Sequence, residues 1–187
     1  MSGYASYDDA LDPKYGEPFP VPVVMATKEA LKGYGTIVTT YDETKVEITP
    51  WPWIGDQCTA INKAVGGNYV IGRLPSNVSP SNRTHVLVRE ANYHPDGGQV
   101  FYPVNKDPFI ALLALPGDDI KLEDFVAFYF DGSFGVQIHA DIWHQPVYPI
   151  NDEATFVGKQ GAVHACVAVD TVDEFSKYLL VPLSPPE

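Results

Sequence analysis

Turn residues cut this chain so often that long helices have little room to form. It carries 17 prolines and 15 glycines, and from residue 69 onward they separate short runs rich in Val, Ile, Phe and Tyr. Such runs suit a pleated, half-buried surface, and Gly, Pro, Asn and Asp between them supply the turns. The expected strands cover residues 69–73, 85–89, 99–104, 109–115, 125–130, 134–139, 143–148, 161–169 and 177–181. The breaks fall at Pro75, Pro80, Pro95-Asp96-Gly97-Gly98, Pro116-Gly117-Asp118 and Asp131-Gly132. Phe130-Asp131-Gly132-Ser133, set between two aromatic-rich runs, reads as a hairpin turn. Short strands at roughly ten-residue spacing with little helix predict an all-β fold, an antiparallel sandwich or barrel.

The first third is less regular. Residues 1–22 carry Pro13, Pro18, Pro20 and Pro22 and read as an extended arm. Residues 23–187 then form a single domain, large enough to bury its own core. Thr27 is a suitable N-cap for a short N-terminal helix over residues 28–34, which Gly33 and Gly35 stop. A strand is expected at residues 36–40. The stretch 41–68, with Pro50-Trp51-Pro52-Trp53 and Gly66-Gly67, reads as a long irregular excursion. Trp51 and Trp53 are either core plugs or a pocket lid.

Charge narrows the partners. Twelve Lys and Arg against 24 Asp and Glu leave a net charge of -12, which opposes an extended phosphate-binding surface and so a nucleic-acid partner. An anionic substrate would need a local positive pocket within this field. Cys58 and Cys166 lack CxxC spacing, and Cys166, within an apolar run, is expected to be a buried thiol. No apolar stretch reaches the roughly 18 residues a membrane span requires, and residues 1–17 lack an apolar leader core. The expectation is a soluble, cytoplasmic protein without a membrane partner.

Two clusters carry candidate chemistry. The first is residues 135–147, where His139, Asp141, Trp143 and His144 flank a short break between two strands. Imidazoles at such a break can act as bases or metal ligands, or simply hydrogen-bond within the turn. The second is residues 90–101, with Glu90, Asn92, His94, Asp96 and Gln99 around a His-Pro turn. His85 and His164, within strand patterns, read as structural.

Together the clusters resemble the paired motifs of cupin barrels. That resemblance implies a cupin-like β-barrel and makes His94, Gln99 and His144 the ligand set for a divalent metal ion, with Asp96 and His139 nearby. A complete cupin motif would read His-x-His followed by Glu; this chain has His94-Pro95-Asp96 and then Gln99. Glutamine is a weak, neutral ligand, which leaves both a metal-bearing and a metal-free site open. More narrowly, the chain resembles the ureidoglycolate lyase (formerly hydrolase) family, cupin-like proteins of ureide and allantoin catabolism. The likeness rests on His94-Pro95 with Gln99-Val100-Phe101 and Pro103, and on Asp131-Gly132, Gly135-Val136, His139, Trp143-His144 and Pro146. It departs at Asn92, where the family usually has Glu, and at the apolar segment around Trp51 and Trp53.

The family resemblance implies cleavage of ureidoglycolate, or a related carboxylate-bearing carbinolamide, to glyoxylate and urea. The hydroxyl must lose a proton as the carbonyl forms, and the departing nitrogen must gain one. His139 and His144 are the candidate base and acid, joined by His94, with Glu90 orienting or replacing one of them. Arg73 is the first candidate for holding the carboxylate and Lys106 the second. Gln99 would bind substrate or metal, and Trp143 would offer an apolar contact. A homodimer, with the arm across a partner's barrel edge, is the expected assembly. Other classes consistent with these residues are a non-catalytic small-molecule-binding barrel and a metal-dependent cupin enzyme acting on another small acid.

Overall fold

The computed structural model describes residues 17–49, 84–162 and 164–187, and the backbone alone of residues 51–52, 59–60 and 64–71. In chain order its strands are β1 (Phe19–Pro20), β2 (Val23–Met25), β3 (Gly35–Val38), β4 (Trp51–Pro52), β5 (Thr59–Ala60) and β6 (Ala64–Ile71). There follow β7 (His85–Val88), β8 (Glu90–Tyr93), β9 (Gln99–Pro103), β10 (Phe109–Ala114), β11 (Val126–Phe130) and β12 (Gly135–Ile138). The last are β13 (Trp143–His144), β14 (Tyr148–Pro149), β15 (Ala154–Gly161), β16 (Val167–Asp170) and β17 (Leu179–Pro182). A 3-10 turn (Leu122–Asp124) and one short helix, α1 (Thr171–Phe175), complete the regular structure among the described residues. The all-β expectation holds.

A central seven-stranded sheet runs in the order β16-β8-β13-β10-β11-β2, with β14 also paired to β10. A five-stranded sheet, β3-β12-β9-β15-β6, and a three-stranded sheet, β1-β17-β7, supply the other layers. The alternation of β10 shows how they stack, because successive side chains of a strand point to opposite faces. Ile110, Leu112 and Ala114 pack with Val86, Val88, Leu179 and Val181 of the three-stranded sheet. Phe109, Ala111 and Leu113 pack with Phe101, Val136, Ile138 and Phe156 of the five-stranded sheet. The strand is buried along its whole length, which explains its unbroken apolar sequence. Phe109 and Phe130 stack at 4.4 Å, and Phe156 meets Phe109 edge-on at 5.2 Å. Burying one such ring contributes about 3 kcal/mol relative to leaving it in water, so this inner core fixes the strands on either side of it.

Four expectations change. No sheet closes on itself among the described residues, so the strands form stacked open sheets rather than a closed barrel. Pairing is not purely antiparallel either: β1 lies parallel to β17 and β2 parallel to β11. Residues 28–34 form consecutive turns, not a helix. Thr27 does cap, its Oγ1 accepting from Ala30 N at 3.1 Å. The bonds that follow mix three- and four-residue returns, and Gly33 takes φ 91°. Asp131 and Gly132 make a corner rather than a hairpin, since β11 belongs to the central sheet and β12 to the five-stranded one. Asp131 Oδ1 accepts from Ser133 N at 2.8 Å and Oγ at 2.6 Å, and Gly132 takes φ 88°.

The run 161–169 is likewise divided. β15 ends in the five-stranded sheet and β16 begins on the edge of the central one, so the described residues between them, 162 and 164–166, belong to a crossover loop. Cys166, expected to be buried, is exposed on it. β8 and most of β15 carry too many polar residues to register as strands by composition.

Candidate active site

The geometry starts from β13, which pairs with β10 on one side and β8 on the other. Its two residues face opposite layers. Trp143 joins the core against the three-stranded sheet, meets Tyr93 edge-on at 4.7 Å and donates its indole N–H to Gly117 O at 2.9 Å. His144 lies opposite Leu113, a residue of the inner core, and therefore looks toward the five-stranded sheet. It is 2% exposed. Trp143 is thus on the far side of the sheet from the imidazole beside it.

Asn92 of β8 lies directly opposite His144, so their side chains share a face. Strand alternation puts Glu90 and His94 on that face as well. His94 is buried, its ring centroid 4.9 Å from that of His144. Across the gap, Gln99 opens β9 opposite Ile138 on the inward face of the five-stranded sheet. Its amide oxygen lies 3.0 Å from His144 Nε2, and its amide nitrogen lies 3.0 Å from the Gln160 side-chain oxygen. The crossover loop covers the cluster: His164 lies over His94 with centroids 3.5 Å apart, and Asp96 Oδ1 accepts from Ala165 N at 2.9 Å.

These imidazoles are held neutral. Burial pushes the pKa of His144 down to about 3, and the backbone hydrogen bond to Ile142 only partly opposes it. Burial also lowers His94, against an opposing bond to Ala165 and attraction from Asp96, and lowers His164 against Asp96. The tautomers follow from the partners. His144 Nδ1 donates to Ile142 O at 2.7 Å, and His94 Nδ1 donates to Ala165 O at 2.8 Å. A carbonyl can only accept, so both protons sit on Nδ1 and both Nε2 atoms are lone-pair acceptors. An amide oxygen cannot bond such an Nε2. The pattern closes when the Gln99 and Gln160 amides are both turned end for end, the Gln99 nitrogen donating to His144 Nε2 and its oxygen accepting from the Gln160 amide nitrogen.

His139 is elsewhere. It follows Gln137 on the outward face of the five-stranded sheet, where Gln137 pairs with Val100 of a separate outer cluster. Glu47 clamps this face: its N–H donates to Gln137 Oε1 at 3.0 Å, and its carboxylate lies 2.9 Å from His139 Nδ1 and 3.3 Å from Ala140 N. His139 borders an open groove with Lys28, Lys32 and Thr36. The structure therefore places His139 and His144 on opposite faces. The turn joining them bonds the cluster through its backbone, Asp141 N donating to His94 O at 3.1 Å and Ile142 O holding His144.

The other candidates divide. Glu90 shares the face of Asn92 but lies two residues further along β8, opposite Asp170. Lys106 is exposed near the Gly132 corner, before Phe109, whereas His144 pairs with Leu113 at the other end of β10. About 13 Å of strand separates Phe109 from Leu113. Arg73 and Trp53 lie outside the described residues, and only the backbone of Trp51 is described. His164, Gln160 and Glu47 were not foreseen as partners; each joins the two clusters from a segment with no local motif.

The donor set does not fit a divalent metal. His94 and His144 have the Nδ1–carbonyl bonds that ligating histidines use, but the third candidate, Gln99, spends its amide on His144 and Gln160. Among the described residues no group of three or more His, Cys, Asp or Glu is arranged to hold an ion.

Comparison with known proteins agrees with the family likeness in the two clusters. Curated relatives named ureidoglycolate lyase from Salmonella enteritidis PT4 (strain P125109), Salmonella paratyphi B (strain ATCC BAA-1250 / SPB7) and Salmonella newport (strain SL254) are each 36% identical to it over 63 residues. That stretch is 34% of this chain and 39% of each relative, so the match spans about two fifths of their length. The family model for ureidoglycolate lyase matches residues 20–175, a range containing His94, Gln99, His144 and His164. The chain belongs to the ureidoglycolate lyase family.

Proposed function

We propose that this protein is a lyase that splits the C–N bond of ureidoglycolate, or a closely related carbinolamide, in the space between the central and five-stranded sheets. The observation that carries the reading is the neutral His94–His144 pair with both Nδ1 protons pinned to backbone carbonyls. It leaves the Nε2 lone pair of His94 oriented at a buried edge, that of His144 being taken by the Gln99 amide, within a chain of this family.

The reaction needs only one proton to move. The hydroxyl O–H is lost, the carbon–oxygen double bond forms as the C–N bond breaks, and the departing nitrogen gains a proton. One imidazole can serve both ends, taking the proton from oxygen and returning it to nitrogen. His94 is the better shuttle, since Asp96 favours its protonated form electrostatically. His144, with a pKa of about 3, is a poor proton carrier; with Gln99 it acts as a positioning group. Glu90, on the same strand face as Asn92, is the carboxylate that would orient His94. His139 and Glu47 serve by holding the turn that carries Ile142, and Arg73 takes the carboxylate. A cytoplasmic homodimer, with the N-terminal arm lying across its partner, belongs to the same proposal.

The test is glyoxylate release from racemic ureidoglycolate by the purified protein. Release well above spontaneous decay, slowing to the background rate once half the substrate is consumed, is the expected result. Release at the spontaneous rate throughout would overturn the reading.

A further inference from the structure

The outer face of the five-stranded sheet carries polar side chains that move no proton in the cleavage chemistry. The turns over residues 28–34, strand β3 and His139 border an open groove of about 790 Å³, within the range of about 300–1,000 Å³ that takes small molecules. Leu31 and Ile37 give it an apolar lining. Lys28 and Lys32 stand on it against one lining carboxylate, Glu29. Neither ammonium group has an ion pair or hydrogen bond among the described residues. In a chain with 24 acidic side chains and 12 Lys and Arg, this is a local excess of positive charge, the condition for holding a small anion.

His139 adds a directed acceptor to the same groove. Its backbone N–H donates to Tyr34 O at 3.0 Å. The Glu47 carboxylate lies 2.9 Å from its Nδ1 and can only accept, so Nδ1 carries a proton. Nε2 has no partner among the described residues. In the neutral ring it is a lone pair, and its complement is a hydroxyl or an N–H. The turn has bonds of its own, from Ala140 N to Glu47 at 3.3 Å and from Asp141 N to His94 O at 3.1 Å. Holding the turn therefore does not account for the free ring nitrogen.

We infer that this groove is a second ligand site, for an α-hydroxy carboxylate carried on an apolar body. The carboxylate lies against Lys28 and Lys32, the hydroxyl donates to His139 Nε2, and the apolar part rests on Leu31 and Ile37. A plain carboxylate would leave the ring nitrogen unanswered, and a neutral alcohol would leave the two ammonium groups so. The site lies on the opposite face of the five-stranded sheet from Gln99 and stands or falls independently of the lyase reading.

The experiment titrates the isotope-labelled full-length protein with three probes and follows the backbone amide NMR signals. Mandelate carries the carboxylate, the hydroxyl and an apolar ring; phenylacetate lacks the hydroxyl, and mandelamide lacks the charge. None of them can be cleaved as a carbinolamide, so binding is read apart from turnover. Mandelate should give saturable shifts at residues 28–39 and 139–140 and bind at least about tenfold more tightly than either analogue, since a site built for a hydroxyl rejects the compound without one. The double variant Lys28→Ala/Lys32→Ala, whose changes lie on exposed side chains, should lose at least about tenfold in mandelate affinity. His139→Phe should bring mandelate and phenylacetate within about threefold of each other. The absence of saturable shifts, shifts centred on His94 and His144, or equal binding of phenylacetate by the wild type would overturn the inference without recourse to any variant. So would an unchanged affinity in the double lysine variant.

Discussion

At the scale of single residues, the site is a set of protons assigned by what accepts them. His144 donates from Nδ1 to Ile142 O and is fully buried, so charging it means desolvating an imidazolium. Linkage gives the sign. A histidine whose folded pKa lies below its unfolded value of about 6.5 contributes stability that is fully present above pH 6.5 and is lost as pH falls toward the folded value. At pH 5 the ring is still neutral in the folded protein, because its folded pKa is about 3, while the unfolded chain binds the proton. His144 alone then accounts for about 2 kcal/mol of the loss between pH 7 and pH 5. His144→Asn can still donate to Ile142 O but cannot titrate. Urea unfolding at the two pH values should show a loss smaller by about that amount in the variant; parallel losses would contradict the burial argument. His94, Gln99 and His144 were legible as a group only through the cupin resemblance, since they come from two clusters about 40 residues apart in the chain. The lid histidine, His164, was not, since it reaches His94 from a loop 70 residues away that reads locally as an apolar strand.

The elements were legible where a single physical preference acted, and obscure where two competed. Apolar runs of the length of β10 and β11 can be little else than strands in an all-β chain. A turn signal, however, says that the chain reverses, not which sheet receives it. Asp131 and Gly132 thus carry the chain from the central to the five-stranded sheet, where a hairpin was the expectation. Residues 28–34 had a cap and stop residues but too few positions between them to propagate a helix, whose first turn is costly to nucleate. The corner makes a sharp prediction. Gly132 has φ 88°, and a Cβ there would fall 2.1 Å from Lys106 O, a backbone atom that cannot easily yield. Gly132→Ala should cost at least about 2 kcal/mol of unfolding free energy. Gly117→Ala, where nothing lies within 4 Å of the added carbon, should change stability by less than about 1 kcal/mol. Thermal unfolding of the pair checks this, and equal effects would mean that the corner is not a constrained point.

For the molecule as a whole, the layering decides which residues can act together. Sheet alternation sends Gln99 inward and His139 outward, and the turn at residues 139–142 then moves the chain to the facing sheet, where His144 points back into the gap. Pairing His139 and His144 as base and acid required them to share a cavity; their separation follows from this change of sheet, which no local pattern announces. The proposed chemistry lies between the sheets, on His94, and not on the outer face, on His139 and Glu47. The most direct measurement is kcat for glyoxylate release by His94→Gln and His139→Gln, both confirmed to be folded. This assignment predicts a fall of about 10²–10⁴ for His94→Gln, the usual worth of an acid–base group, and less than about tenfold for His139→Gln, whose turn keeps its backbone bonds. The reverse ordering would place the active site on the outer face and contradict it.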